Sequence, residues 1–357
     1  MGAVAVGPSI APGSSIADVA ELWAPEGTYL NTASYGLPPK PGWDAMQAAL
    51  ADWQGGRTSW EGWGETTDGS RRAFARIVDV DPSRVAVGAT VSGFVGLIAS
   101  SLPDGARVLA PEIEFTSNLF PYLAQAHRGV SVSTVPAAEL AAQIDSSVDV
   151  VAFSLVQMAT GEVADVPAIT AAAKRAGALT VCDATQAAGW LPVRGDDFDF
   201  LVCSAYKWLM CPRGVAFLVL RPDRLPTIAP SAAGWFAGED VHSSYFGPPL
   251  RLATDARRLD TSPAWFSWVG AQPALELVEA IGVETIHGHD LALANGFRGG
   301  LGLAPGDSAI VSLDRPGGAL ALDRAGIQAA VRGGRLRVSW HVYNTERDVD
   351  IALDALS

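Results

Sequence analysis

TVCDATQAAGWLPVRGDDFDFLVCSAYKWLMCPRGVAFLVL, residues 180–220, decides the fold. Three apolar runs, 178–182, 200–203 and 215–220, have the length and turn-bounded flanks of buried strands. The first ends in Asp183-Ala-Thr-Gln186 and the second in Ser204-Ala-Tyr-Lys207. The third follows Cys211-Pro-Arg-Gly214. A carboxylate at one strand end and a lysine at the next thus meet at one sheet edge. Ligands of open α/β sheets sit beyond the carboxyl ends of strands.

That pairing has a chemical use. A lysine amine forms a Schiff base with a carbonyl cofactor. Pyridoxal phosphate also needs an acid beside its ring nitrogen, so that the ring accepts electrons. Lys207 and Asp183 supply these two needs. The chain has only three lysines. Lys40 lies in a Pro-rich stretch read as a turn, and Lys174 lies in AAAKRAGA, read as an exposed helix face. A structural Asp–Lys ion pair is the competing reading, disfavoured because burying such a pair is costly.

The pattern Asp-x-x-Gln, Ser-x-x-Lys, Pro-x-Gly resembles the class V aminotransferase group of pyridoxal-phosphate enzymes. That group includes cysteine desulfurases, kynureninases, isopenicillin epimerase-like proteins and C–S lyases. The resemblance implies a fold type I transferase of α/β class. Its large domain holds a mostly parallel seven-stranded sheet, and a small α+β domain closes the C-terminus. It divides the chain into a tail and arm (1–25), a cofactor-binding domain (26–283) and a small domain (284–357). It implies pyridoxal 5'-phosphate as cofactor, a homodimer with shared sites, and an amino-acid-like substrate reacting at Cα. An aminotransferase is the first expectation. A C–S lyase or epimerase on the same scaffold is the alternative. A noncatalytic cofactor-binding regulator is a third reading, which no basic patch supports.

The remaining motifs fall on either side. Residues 16–23 have helical apolar spacing, with Ser15 as a cap. Residues 29–30 read as a short strand and Asn31-Thr-Ala-Ser34 as a polar turn; a similar segment of the family enters the active site. Residues 43–53 read as an amphipathic helix. WQGGRTSWEGWG, residues 53–64, reads equally as a substrate-facing lid or as packed aromatic surface. Residues 70–77 read as a helix and 85–87 as a strand. Gly88-Ala-Thr-Val-Ser-Gly93 then opens an apolar helix, and a Gly-rich turn there presents free N–H groups to an anion. We assign Thr90 and Val91 of this turn to the cofactor phosphate. The spacing is not that of a dinucleotide-binding Gly-x-Gly-x-x-Gly.

Desulfurases of the family carry Glu-His where this chain has Glu114-Phe115. Phe115 can stack on a cofactor ring but cannot shuttle protons. The strand 148–155 is followed by Gln157-Met158, where family members place a polar residue near the cofactor; Met158 falls in that slot, and Gln157, one residue away, is taken as the polar substitute. By resemblance, Gln186 meets the ring's phenolic oxygen, Ser204 and Tyr206 support the phosphate side, and Ser262 binds the partner's phosphate. Thr261 is the neighbouring option for that last role, and an ordinary helix cap the structural one. Arg335-Leu-Arg337-Val-Ser-Trp-His-Val-Tyr-Asn-Thr345 resembles the family's Arg-x-Ser run, so Arg337 grips the substrate carboxylate. No metal-ligand set is read.

Composition narrows the setting. The 357 residues are 49% hydrophobic, enough for one large and one smaller core. A net charge of −13 argues against nucleic acid and anionic membrane as partners. Three cysteines between positions 182 and 211 offer no disulfide framework and fit a cytoplasmic protein. No apolar run approaches membrane-spanning length, and residues 1–15 lack the basic start of a secretory signal. Their Gly, Pro and Ser read as a mobile tail.

Overall fold

A computed structural model describes residues 13–357, so most of the expected tail lies outside the described residues. The larger sheet contains β1 (Val85–Gly88), β2 (Arg107–Pro111), β3 (Ser131–Val135), β4 (Val150–Ser154), β5 (Leu179–Asp183), β6 (Phe200–Ser204) and β7 (Ala216–Leu220). Their spatial order is β1-β7-β6-β5-β4-β2-β3. Pairs from β3 through β6 are parallel, and β7 runs antiparallel to both β6 and β1. The smaller sheet contains β8 (Ile310–Leu313), β9 (Ala330–Arg332) and β10 (Arg335–Ser339), all antiparallel in the order β8-β10-β9.

The helices are α1 (Ile16–Val19), α2 (Lys40–Gln54), α3 (Trp60–Ile77), α4 (Val91–Ser101), α5 (Thr116–Leu123), α6 (Val166–Ala176), α7 (Trp265–Ile281), α8 (Val283–Gly300), α9 (Gly318–Arg324) and α10 (Glu346–Ala355). Apart from the exposed edge strand β3, the large sheet is buried on both faces, which is why its central strands read as continuous apolar runs. Cys182, Leu201, Phe217 and Val219 pack into one core with α3 and α7, where Phe74 stacks on Phe217 at 4.1 Å. Val181, Phe200, Val202 and Leu218 pack into the other, with Phe94, Val95 and Ile98 of α4. A third core joins α8, α10 and the small sheet, and takes in Leu30 from the N-terminal side.

Three local expectations change. Tyr29 and Asn31 make only single bridges, to Gln328 and Ser339, because the chain crosses the small sheet without running along it. Lys40 begins α2 rather than sitting in a turn; Pro41 is tolerated because first-turn N–H groups have no helical acceptor. Helix α3 starts ten residues before the expected 70, despite glycines at 62, 64 and 69. Packing overrides propensity there: Trp60 meets Trp235 at 4.9 Å and Trp63 meets Phe266 at 5.2 Å. Trp60 and Trp63 are therefore packed against other aromatic side chains.

Strands β1, β2, β4, β5 and β6 point the same way. Their final residues Gly88, Pro111, Ser154, Asp183 and Ser204 share one edge of the sheet.

Candidate active site

Beyond that edge the chain after β6 is pinned from several sides. Cys211 N–H donates to the Ala205 carbonyl (3.0 Å) and Met210 N–H to the Lys207 carbonyl (3.0 Å). Met210 takes a left-handed φ of 54°, an uncommon strain for a side chain of its size. Gly36 N–H donates to Tyr206 at 3.0 Å, and a Cβ on Gly36 would lie 1.9 Å from the Lys207 carbonyl oxygen. Only glycine fits at that approach. The Trp208 indole donates to Gln186 Oε1 at 2.9 Å. His341 Nε2 meets the Trp208 carbonyl at 2.9 Å, while His341 Nδ1 meets buried Asp290 at 2.9 Å. The segment after β10 thus holds the lysine loop through His341.

One pocket is lined by Thr90, Val91, Phe115, Asp183, Gln186, Ser204, Tyr206 and Lys207. Lys207 is 6% exposed. Burial lowers its pKa to about 8; Asp183 opposes that shift, and Arg337 and Arg332 add to it. Its Nζ lies 5.8 Å from the Phe115 ring centre and 5.7 Å from that of Tyr206. Asp183 is buried, which raises its pKa, while the Thr185 N–H (2.8 Å) and Lys207 pull it down. Gln186 is fixed between Trp208 and the Ala33 carbonyl, to which its Nε2 donates at 2.9 Å. One Nε2 proton remains for the pocket. Thr90 caps α4 by accepting from Gly93 N–H at 3.1 Å, leaving its own O–H and the first N–H groups of α4 facing the pocket mouth. Phe115 keeps 37% of its surface open at the pocket wall.

Gln157 is not brought here. Its amide donates to the Ile113 carbonyl and accepts from Ala159 N–H at 2.5 Å, and the side chain lines a separate cavity with Glu162 and Ala164. Met158 takes the place at the pocket. The chain turns here, closed by Gly161 N–H donating to the Gln157 carbonyl (2.8 Å), and the turn sends the two side chains to different sides. Ser262 does not line the pocket either; it is exposed two residues before the Ala264 cap of α7.

Arg337 is 1% exposed and does not line the pocket itself; it adjoins it through Met158. It donates to the Met158 carbonyl (2.8 Å) and to Ser34 Oγ (2.6 Å). Burial lowers its pKa to about 10, which leaves it charged at neutral pH. Sequence reasoning missed several neighbours. Thr185 accepts from Ser204 N–H at 2.9 Å and so ties the two strand ends together. Arg213 lies over the Tyr206 ring at 4.8 Å. Arg332 also donates to Ser34 Oγ, at 3.0 Å. The polar turn at 31–34 was a usable signal for Ser34; Arg213 lay within the quoted Pro-x-Gly. Nothing local marked Arg332 or His341. Glu114 sits just behind the wall, its carboxylate accepting from Ser154 N–H (2.7 Å) and Phe115 N–H (2.9 Å), with burial raising its pKa to about 7.

The family model for aminotransferase class-V matches residues 69–329. The uncharacterized aminotransferase YcbU of Bacillus subtilis (strain 168) is 29% identical over 329 residues, 84% of this chain and 85% of that protein. Isopenicillin N epimerase of Streptomyces clavuligerus is 28% identical over 334 residues, 80% and 83% of the two chains. The apo cysteine desulfurase of Thermococcus onnurineus NA1 superposes with a TM-score of 0.82 at 22% identity, over 96% of this chain and 98% of that one.

Proposed function

The chain belongs to the aminotransferase class-V family, and from that premise we propose that it is a pyridoxal-phosphate enzyme acting at Cα of an amino acid, an aminotransferase first. The observation that carries the reading is the convergence of Lys207 and Asp183 in one pocket. The residues present fit the cofactor. The open face of Phe115 offers a stacking surface, and the carboxylate of Asp183 has one oxygen engaged by Thr185.

Bound there, pyridoxal phosphate supplies a carbonyl that links to amines and a ring that accepts the electron pair left at Cα. Lys207 would hold that carbonyl through its amine, and the free neutral amine would serve as the base for the Cα proton. Burial favours its neutral form, the form both tasks need. Asp183, as a carboxylate, would hold a proton on the ring nitrogen. Gln186 directs its spare N–H at the phenolic oxygen. Thr90, the Val91 N–H, Ser204 and Tyr206 take the phosphate end. Arg337 fixes the substrate carboxylate by two parallel hydrogen bonds. Where Lys207 returns the proton separates transamination from racemisation; departure of a β-substituent with its bonding electrons, in place of that return, is β-elimination. Incubation with a panel of amino acids, reading keto acid, ammonia, sulfide and optical rotation, decides among them. No turnover of any amino acid by protein that carries the cofactor would favour the regulator reading.

Two expectations follow from the same reading. The enzyme is a homodimer in which Ser262 reaches the phosphate bound by the partner. Sedimentation should give twice the chain mass; a monomer that still binds the cofactor tightly would remove Ser262 from the site.

The enzyme also forms no protein persulfide. Desulfuration needs a thiolate on a mobile loop ahead of the Arg-x-Ser run. Here β9 and β10 join through Gly333-Gly334 alone, both at positive φ (55° and 77°), a two-residue hairpin turn without a cysteine. Cys182, Cys203 and Cys211 are all buried, and burial pushes each thiol up. Mass spectrometry after incubation with cysteine should find no added sulfur. An adduct on Cys211, with activity lost in Cys211→Ala, would overturn the exclusion.

A further inference from the structure

Two guanidiniums converge on one hydroxyl. Ser34 Oγ accepts from Arg337 at 2.6 Å and from Arg332 at 3.0 Å. Both oxygen lone pairs are then used, and the Ser34 proton is left to donate. Among the described residues neither arginine has a carboxylate within ion-pair distance. That is unlike buried Arg71, which meets Asp260 at 2.7 Å and Asp68 at 3.3 Å. Like charges held together without a counter-ion are costly, and the cost is recovered when an anion arrives.

The proposed chemistry supplies one such anion, the α-carboxylate on Arg337. It leaves Arg332 over. The two cations share a face of the small sheet, since Arg332 pairs with Arg335 and Arg337 lies two residues further along the same strand. Arg337 is the inner of the two; Arg332 ends β9 beside the hairpin and is only partly buried. Arg332 thus stands on the solvent side of Arg337, one hydroxyl away from it. We infer that Arg332, with Ser34, selects an amino acid whose side chain ends in a carboxylate. The inference rests on the proposed role of Arg337 for the α end.

The test is calorimetric titration of the purified holoenzyme with glutarate and with valerate, which have five carbons and two or one carboxylates. Glutarate should bind at least tenfold more tightly than valerate. Arg332→Gln should remove that preference and leave valerate affinity unchanged, while Arg332→Lys retains part of it. Equal binding of the two acids by the wild-type protein would overturn the inference. So would an Arg332→Gln variant that weakens both equally, because Arg332 would then be a second grip on the same carboxylate. The cofactor's near-visible absorption, recorded on the same samples, tests the proposed function separately: its absence in the wild type would count against that function and not against the glutarate preference.

Discussion

Lys207→Ala, purified in the presence of pyridoxal phosphate, should lack the near-visible absorption of covalently held cofactor. Its turnover of every amino acid should fall by about 10²–10⁴-fold or more, the usual worth of a positioned general base. Lys174→Ala should keep both. Lys174 sits near the end of α6, whereas Lys207 is buried at the sheet edge beside Asp183. The wild-type protein adds a pH signature. The Lys207 pKa is lowered from 10.5 to about 8, so the neutral amine gains as pH rises through 8. Cofactor uptake by apo protein should accelerate over that interval. The linked stability has the same sign. Between about 8 and 10.5 the unfolded chain binds more protons at this lysine than the folded one, so apo stability rises with pH there. Lys207→Met should remove that rise. A normal absorption band in Lys207→Ala would sink the proposed function.

Much of this site was legible because its parts sit at strand ends. Runs buried on both faces announce β5, β6 and β7 without help from periodicity, and the polar clusters that stop them are the site. Thr90 was legible for a similar reason, as a cap on a helix that follows a strand. Gln157 failed because the sequence marks where β4 ends but not which way each residue beyond it points, so Met158 takes the pocket. Helix α3 failed at its start because glycines argue locally for a loop, while the aromatic contacts that hold it come from residues about two hundred positions away. Ser34 and Arg332 meet only after the small sheet folds back over the N-terminal segment, and no spacing in the chain encodes that closure. His341 reads as one residue of a family-like run until the Trp208 carbonyl is found against it.

Arg337 offers the sharper test of how substrate is held. Arg337→Lys should lower kcat/KM for amino acids by about 10- to 150-fold, the equivalent of roughly 1.5–3 kcal/mol for a charge-assisted pair. The near-visible band should stay unchanged, because Arg337 does not line the wall formed by Phe115, Asp183 and Tyr206. Lysine keeps the charge and loses the planar fork, so the deficit reads the bidentate geometry. Arg337→Ala should lose more, for two reasons that separate. It removes the charge, and it strips the Met158 carbonyl of its side-chain donor and Ser34 Oγ of one of its two donors in a nearly closed setting. The second loss should appear as a lower melting temperature in Ala and a smaller drop in Lys. A primary amine without a carboxylate discriminates further. Whatever its basal turnover, Arg337→Lys should leave it unaltered, since there is no anion for the guanidinium to meet. If kcat/KM for amino acids is unchanged in Arg337→Lys while the amine is also unaffected, the α-carboxylate is gripped elsewhere, with Arg332 the nearest cation to take it.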